Sequence, residues 1–320
     1  MTTGELSALL GSCLEEVTVP AGTHIARGKV RDIVDRGVEM LITTTDRISA
    51  FDRVLTTIPC KGEVLNTLSL FWFRATEDII PNHVREEVSP RTVRVAKCRV
   101  VPIEVVVRGY LTGSAWRDYQ KGSDISGIHL PSGLRFNQRF DRPLLTPSTK
   151  EEKGSHDRPV SREELIASGR VEKAVWEQIE ASALALFARG TEIAARNGLI
   201  LVDTKYEFGI LDDRLTLVDE LHTPDSSRYW YADTFAPLFE RAEPQRELDK
   251  EYLRRWLMGR GWQGDGTPPA IPDGMRVEVA GKYITAWETI TGKTFVPGAR
   301  GAAEESALIA DLLSSSQYGD

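Results

Sequence analysis

Hairpin-joined strands and long amphipathic helices share this chain, which predicts a mixed helix-and-strand fold. Three stretches carry that expectation. Residues 199–218 read as two short apolar strands around the turn Leu211-Asp212-Asp213-Arg214. Residues 24–34 read as strand–turn–strand, and residues 171–196 as one long amphipathic helix stopped by Asn197-Gly198. At 320 residues the chain suits one large domain or two interlocked lobes. A hydrophobic content of 41% and a charged content of 27% allow a sizeable core.

A net charge of −7 argues against a general nucleic-acid binder but leaves room for local phosphate pockets. Cys13, Cys60 and Cys98 lie far apart with no metal-ligand spacing, so they read as free thiols in a reducing compartment. The chain shows no basic-then-apolar leader and no apolar run long enough to cross a bilayer. A cytoplasmic protein with no membrane partner is expected.

Taken in order, residues 5–14 suggest a short helix and residues 16–19 a strand. Residues 24–34 alternate around Gly28, with Lys29 and Arg31 on one face. Such a hairpin can lay backbone N–H groups over phosphates, although a plain solvated hairpin explains it equally. It is not a Walker A loop, since G-x-x-x-x-G-K-[ST] is absent. Residues 38–44 form a clear strand. A helix over 64–78 carries Leu65, Leu68, Phe71 and Trp72 as a core stripe.

Two strands are expected within 92–107. Glu104 stands inside the most hydrophobic stretch of the chain, so it must be paired or ligate something. Arg108-Gly109-Tyr110-Leu111-Thr112-Gly113-Ser114 follows, a stretch suited to seating a phosphate or carboxylate. Residues 121–160 are poor in pattern and read as a long loop, in which Lys150, Lys153 and His156 are candidates to face an anion.

The hairpin at 199–218 places Asp203 and Glu207 after its first apolar run and Asp219 and Glu220 after its second, with Lys205 between. Pairing across the turn brings Glu207 towards Asp219. Carboxylates suit a hard cation such as Mg²⁺ and the nearby cations suit phosphate, a combination that points to phosphoryl transfer. Beyond Trp230, residues 248–258, 275–290 and 306–313 read as helices that carry packing rather than chemistry.

Four motifs together resemble one family. They are Gly28-Lys29-Val30-Arg31-Asp32; Val101-Pro102-Ile103-Glu104-Val105-Val106-Val107-Arg108 with Gly113-Ser114; Leu201 through Gly209; and Asp219-Glu220 through Pro224-Asp225-Ser226-Ser227-Arg228. The set is similar to SAICAR synthetase, in the longer form of the enzyme. The resemblance implies a two-lobed α+β fold with an antiparallel N-terminal sheet (1–110), a larger lobe (111–320) and a kinase-like nucleotide cleft. It implies ATP and Mg²⁺ as cofactors, and carboxyaminoimidazole ribonucleotide and L-aspartate as the substrates ligated.

By the same resemblance, Gly28, Lys29 and Arg31 would hold ATP phosphates, with arginine at 31 where the family more often has lysine. Glu207 and Asp219 would bind Mg²⁺–ATP. Glu104 and Asp203 would sit by the ribonucleotide carboxylate, with a second Mg²⁺. Arg108, Ser114, Asp225 and Arg228 would grip the ribonucleotide. Lys150, Asp203 and Lys205 would stand at the reacting groups. The rival readings are a small-molecule kinase of related fold and a nucleotide sensor without turnover. Oligomeric state stays open.

Overall fold

In the computed structural model, which describes residues 1–150, 157–248, 251–298 and 300–315, the chain divides into two units. The first takes Met1–Leu68, Val84–Lys97 and the described part of Asp249–Asp320. Helix α1 (Thr3–Ala8) starts at a capping box formed by Thr2 and Glu5. Strands β1 (Ile25–Arg27) and β2 (Arg31–Asp35) form the expected hairpin, and β3 (Glu39–Thr44) pairs with β2. A separate small hairpin joins β4 (Arg47–Ala50) to β5 (Arg53–Thr57). Helix α2 (Lys61–Ala75) follows, counted with this unit up to Leu68 and with the second unit from Ser69; then come β6 (Val84–Glu87) and β7 (Thr92–Ala96). The five-stranded sheet runs β1-β2-β3-β7-β6, antiparallel throughout.

Two expectations fail at the start of this unit. Helix α1 ends at Ala8, with a 3-10 turn at Leu10–Ser12, and residues 16–19 are not a strand. Here backbone N–H groups are taken by buried carboxylates. Leu14 N donates to Asp46 Oδ2 at 2.8 Å and Val17 N to Asp32 Oδ2 at 2.9 Å. Those acids have buried cation partners too. Arg47 meets Asp32 at 2.7 Å, and Arg91 spans Asp46 at 2.7 Å and Glu63 at 3.1 Å. Burial pushes the Glu63 carboxyl up, and the Arg91 charge opposes that rise. Gly62 is needed at this crossing, because a Cβ there would lie 2.3 Å from Thr44 O.

The second unit comprises Ser69–His83 and Cys98–Leu248. Its elements are β8 (Arg99–Val100), β9 (Ile103–Tyr110), α3 (Gly113–Gln120), β10 (Arg139–Thr149), α4 (Arg162–Ala167) and α5 (Lys173–Arg196). Then come β11 (Leu199–Leu211), β12 (Arg214–Val218), β13 (Ser227–Tyr231) and α6 (Ala232–Glu240). The sheet runs β10-β9-β11-β12, with β13 and β8 also paired to β11. Strand β11 is the spine of the unit. Its first half lies between β9 and β13, and its second half pairs with β8 and β12.

The pattern-poor stretch 121–160 contains β10, which was not expected. This edge strand carries Pro143 and Pro147 and a register shift between Arg139 and Leu144, so no regular alternation marks it. Helix α6 was also missed, because Pro237 lies within it. The expected short run 199–202 is instead a strand of 13 residues, so Asp203 and Glu207 stand inside it rather than after it.

After the second unit the chain re-enters the first as α7 (Glu251–Met258), α8 (Asp273–Thr291) and α9 (Ala302–Ser315). Leu253, Leu257, Trp262, Val277, Ala280 and Ile284 share one apolar core with Ile48, Ile58, Val64 and Leu65. Ile309 of α9 packs with Val34 and Leu41. Buried Glu305 accepts from Ser89 Oγ at 2.5 Å and Thr92 Oγ1 at 2.6 Å, which fastens α9 to β7. The C-terminal helices therefore complete the first unit. The units change over at Lys97 and Cys98, not at 110, because β9 belongs to the sheet of β10 and β11. No described helix is long and apolar enough to cross a membrane.

Candidate active site

Side chains alternate along a strand, so Asp203, Lys205 and Glu207 of β11 share one face and Thr204, Tyr206 and Phe208 the other; Asp203 and Glu207 are themselves buried. Strand β9 supplies the matching face. Ile103, Val105 and Val107 go to the core, and Glu104, Val106 and Arg108 stay half-buried. The register pairs Asp203 with Arg108 and Lys205 with Val106. The turn into β12 has Asp212 and Asp213 at φ 49° and 60°, the left-handed pair of a tight hairpin. Glu207 then pairs with Val218, which brings Asp219 alongside as expected. Asp219 itself is left-handed, with φ 66°.

The four acids divide between two neighbourhoods. In one, Lys205 Nζ meets Glu104 Oε1 at 3.1 Å and Asp219 Oδ2 at 3.4 Å, and bonds Glu207 as well. Lys150 bonds Glu207 from the other side. Burial alone would lower the Lys205 ammonium, yet Glu207, Asp219 and Glu104 together hold it well above the ordinary lysine range. Burial pushes the Glu104 carboxyl up; Lys205 opposes this and the Glu207 charge adds to it. The charge inside the apolar run is thus paired, as its position required.

In the other neighbourhood, Asp203 Oδ2 lies 3.6 Å from both Arg108 Nη1 and Arg228 Nη1. It is buried without a hydrogen-bond partner. Burial lowers Arg108, Asp203 opposes that shift and Arg228 reinforces it. Arg108 Nε donates to Thr146 Oγ1 at 3.0 Å, and that hydroxyl donates to Val106 O at 2.9 Å. Gly113, at φ 58°, is the other support: a Cβ there would lie 2.2 Å from Arg228 Nη1. Gly113 begins α3, and Ser114 is the next residue of that helix. Two guanidinium groups beside one carboxylate carry a surplus positive charge, which suits an anionic ligand.

Asp225 lies in the loop between β12 and β13, its N–H bonded to Thr223 Oγ1 at 3.2 Å. Gly28, Lys29 and Arg31 lie in the first unit. Gly28 N bonds Arg31 O at 2.8 Å to close the hairpin, and Lys29 Nζ pairs with Asp52 at 2.5 Å. Lys153 and His156 lie outside the described residues. Sequence reasoning missed Thr146 and Asp52, and no spacing signal marks either. Among the described residues, no group of three or more His, Cys, Asp and Glu side chains is arranged to hold a metal ion.

Antiparallel sheets in both units and a strand face of carboxylates interleaved with cations define an α+β enzyme of the kind that handles phosphate and carboxylate groups. The family model for SAICAR synthetase matches residues 24–269, and the chain belongs to that family. It is similar to phosphoribosylaminoimidazole-succinocarboxamide synthase of Legionella pneumophila (strain Paris), 45% identical over 291 residues covering 89% of this chain and 92% of the relative. The corresponding protein of Bacteroides thetaiotaomicron is 46% identical over 282 residues, 87% of this chain and 90% of its own. Among solved structures, SAICAR synthase from Saccharomyces cerevisiae complexed with SAICAR aligns with a TM-score of 0.78 and 33% identity. That alignment covers 88% of this chain and 99% of the yeast chain.

Proposed function

We propose that this chain ligates L-aspartate to carboxyaminoimidazole ribonucleotide with ATP, giving SAICAR, ADP and phosphate in purine biosynthesis. Family membership supports the reaction. The observation that carries the site assignment is the single strand face on which Asp203, Lys205 and Glu207 alternate opposite Glu104 and Arg108.

A carboxylate is a poor acyl donor, so the ribonucleotide carboxylate oxygen attacks the γ-phosphorus and ADP departs. The aspartate amine then attacks the acyl carbon, phosphate leaves and the amine loses a proton. No nucleophilic side chain is needed, and catalysis is positioning plus electrostatics. Arg108, Ser114, Asp225 and Arg228 hold the ribonucleotide, with Asp203 orienting both guanidinium groups. Lys205 and Lys150 face the charge that develops at the transferred phosphoryl and carboxylate groups. Gly28, Lys29 and Arg31 bind ATP phosphates.

The residues fit Mg²⁺ without forming a dedicated cage. Glu207 and Asp219 offer hard oxygen donors, and Mg²⁺ commonly takes one or two carboxylates with substrate phosphates and water. Glu104 and Asp203, the expected pair for a second ion, do not fit a shared one, because Glu104 bonds Lys205 while Asp203 lies between Arg108 and Arg228. The metal would supply charge stabilisation at the phosphates. A cytoplasmic setting fits the three free thiols.

The test is ADP release with Mg·ATP and carboxyaminoimidazole ribonucleotide, with and without L-aspartate. Aspartate-dependent ADP with a succinocarboxamide product is the expected outcome. Release indifferent to aspartate would instead make the protein a small-molecule kinase, and nucleotide binding without turnover would make it a sensor.

A further inference from the structure

The loop that carries Asp219 sends one side chain into the core of the second unit. His222 is fully buried, and its backbone is left-handed at φ 49°, as is Asp219 at φ 66°. Two left-handed residues that are not glycine, so close together, mark a backbone held by its surroundings. Leu221 N donates to Ser69 Oγ at 3.0 Å, and Tyr229 Oη donates to His222 O at 2.8 Å. The imidazole packs edge-on against Trp72, with ring centroids 4.7 Å apart. Its Nε2 lies 2.6 Å from Tyr206 Oη. On the remaining side α5 carries Gly190, where a Cβ would stand 2.4 Å from His222 Cε1 and 2.7 Å from Nδ1. A glycine inside a helix is less favourable than alanine, and here the ring occupies the space that alanine would need.

Four links make a closed ring of these parts. The backbone runs from Asp219 to His222, and the imidazole bonds Tyr206. The β11 backbone runs from Tyr206 to Lys205, and Lys205 Nζ returns to Asp219 at 3.4 Å. We propose that His222 is a positioning residue: through Tyr206 it fixes Asp219 relative to Lys205 and Glu207, and so sets the affinity of this site for metal-bound nucleotide. Burial pulls the imidazole down to about 3, so it stays a neutral hydrogen-bonding wedge across the working pH range. The proposal rests on the assignment of Glu207 and Asp219 to Mg²⁺–ATP.

The test compares Tyr206→Phe, His222→Phe and the double variant with the unaltered protein. Replacing both partners of a buried hydrogen bond by apolar groups of like shape removes the unpaired polar atom and is nearly neutral for stability. The double variant is therefore expected to melt within a few degrees of the unaltered protein. Calorimetry would give its affinity for ADP with Mg²⁺ and for ADP in EDTA. The expected result is a weakening of at least tenfold for Mg·ADP with metal-free ADP unchanged, matched by a raised KM for Mg·ATP. Partial recovery is expected in His222→Gln, whose amide can still meet Tyr206. Unchanged Mg·ADP affinity, or equal weakening with and without metal, would overturn the proposal. Should the double variant not fold, Tyr206→Phe alone gives the same comparison. Failure of the ligase assignment would appear separately, as an unaltered protein that binds Mg·ADP but makes no succinocarboxamide.

Discussion

The two units each bury a cluster of carboxylates and cations, and the clusters are used in opposite ways. In the first unit Arg91 is saturated by Asp46 and Glu63, and Asp46 also accepts from the backbone of Leu14 and Gly62. Each of these side chains is less than one-tenth exposed. In the second unit Lys205 is shared among three acids and keeps 26% of its side chain exposed, with Asp219 at 24%. A closed network of this kind specifies a backbone crossing. An open one, with surplus carboxylate and a reachable cation, can exchange its internal partners for ligand.

Lys205→Met tests the open cluster most severely. It leaves three carboxylates without their common cation, and aspartate-dependent ADP release should fall by about 10²–10³-fold. The melting temperature should move far less, since Glu104 and Asp219 reach water and buried Glu207 keeps Lys150 as a partner. Arg91→Leu is the counterpart in the closed cluster. It strands two buried carboxylates and should cost about 3–5 kcal/mol in urea denaturation. Its rate per folded molecule should change far less than that of Lys205→Met. If the two variants lost stability and activity in the same proportion, the contrast between the clusters would not hold.

Glu305→Ala probes a smaller part of the closed side. It leaves the Ser89 and Thr92 hydroxyls without their acceptor and should cost about 1–3 kcal/mol, read again by urea. The smallest effect at neutral pH belongs to Cys60. Burial, with Glu63 and Asp46 adding to it, pushes this thiol from 9.0 to about 12. Between those values the unfolded chain has lost a proton that the folded chain retains, so stability falls as pH rises. The difference in stability between the unaltered protein and Cys60→Ala should shrink from pH 8 upward. Iodoacetamide labelling of Cys60 should stay slow in the folded protein at pH 10.

The fold class was legible in the sequence, and so was the hairpin that carries Glu207 and Asp219. Glu104 stood out as a charge inside an apolar run, and pairing across the turn brought Glu207 towards Asp219, because both are local rules. The partition of the acids was not legible. Asp203 sits with Arg108 and Arg228 because β9 and β13 flank β11 there, and such pairing across the sheet leaves no mark in spacing. Strand β10 was hidden by its prolines, and residues 16–19 gave up a strand because distant Asp32 and Asp46 claim their neighbourhood's backbone donors. Gly190 looks like any helical glycine until the His222 ring is placed against it.

The first unit is assembled from three separated pieces of chain, the last of which contains α7 to α9. During synthesis, Ile48, Ile58 and Leu65 emerge from the ribosome long before Leu257, Val277 and Ile284, with which they share a core. Every strand of the second unit's sheet has been made while those partners are still being added. The later-numbered unit can therefore mature before the earlier-numbered one. A ribosome stalled near residue 248 would hold a first unit with bare apolar surface, a natural client for a chaperone.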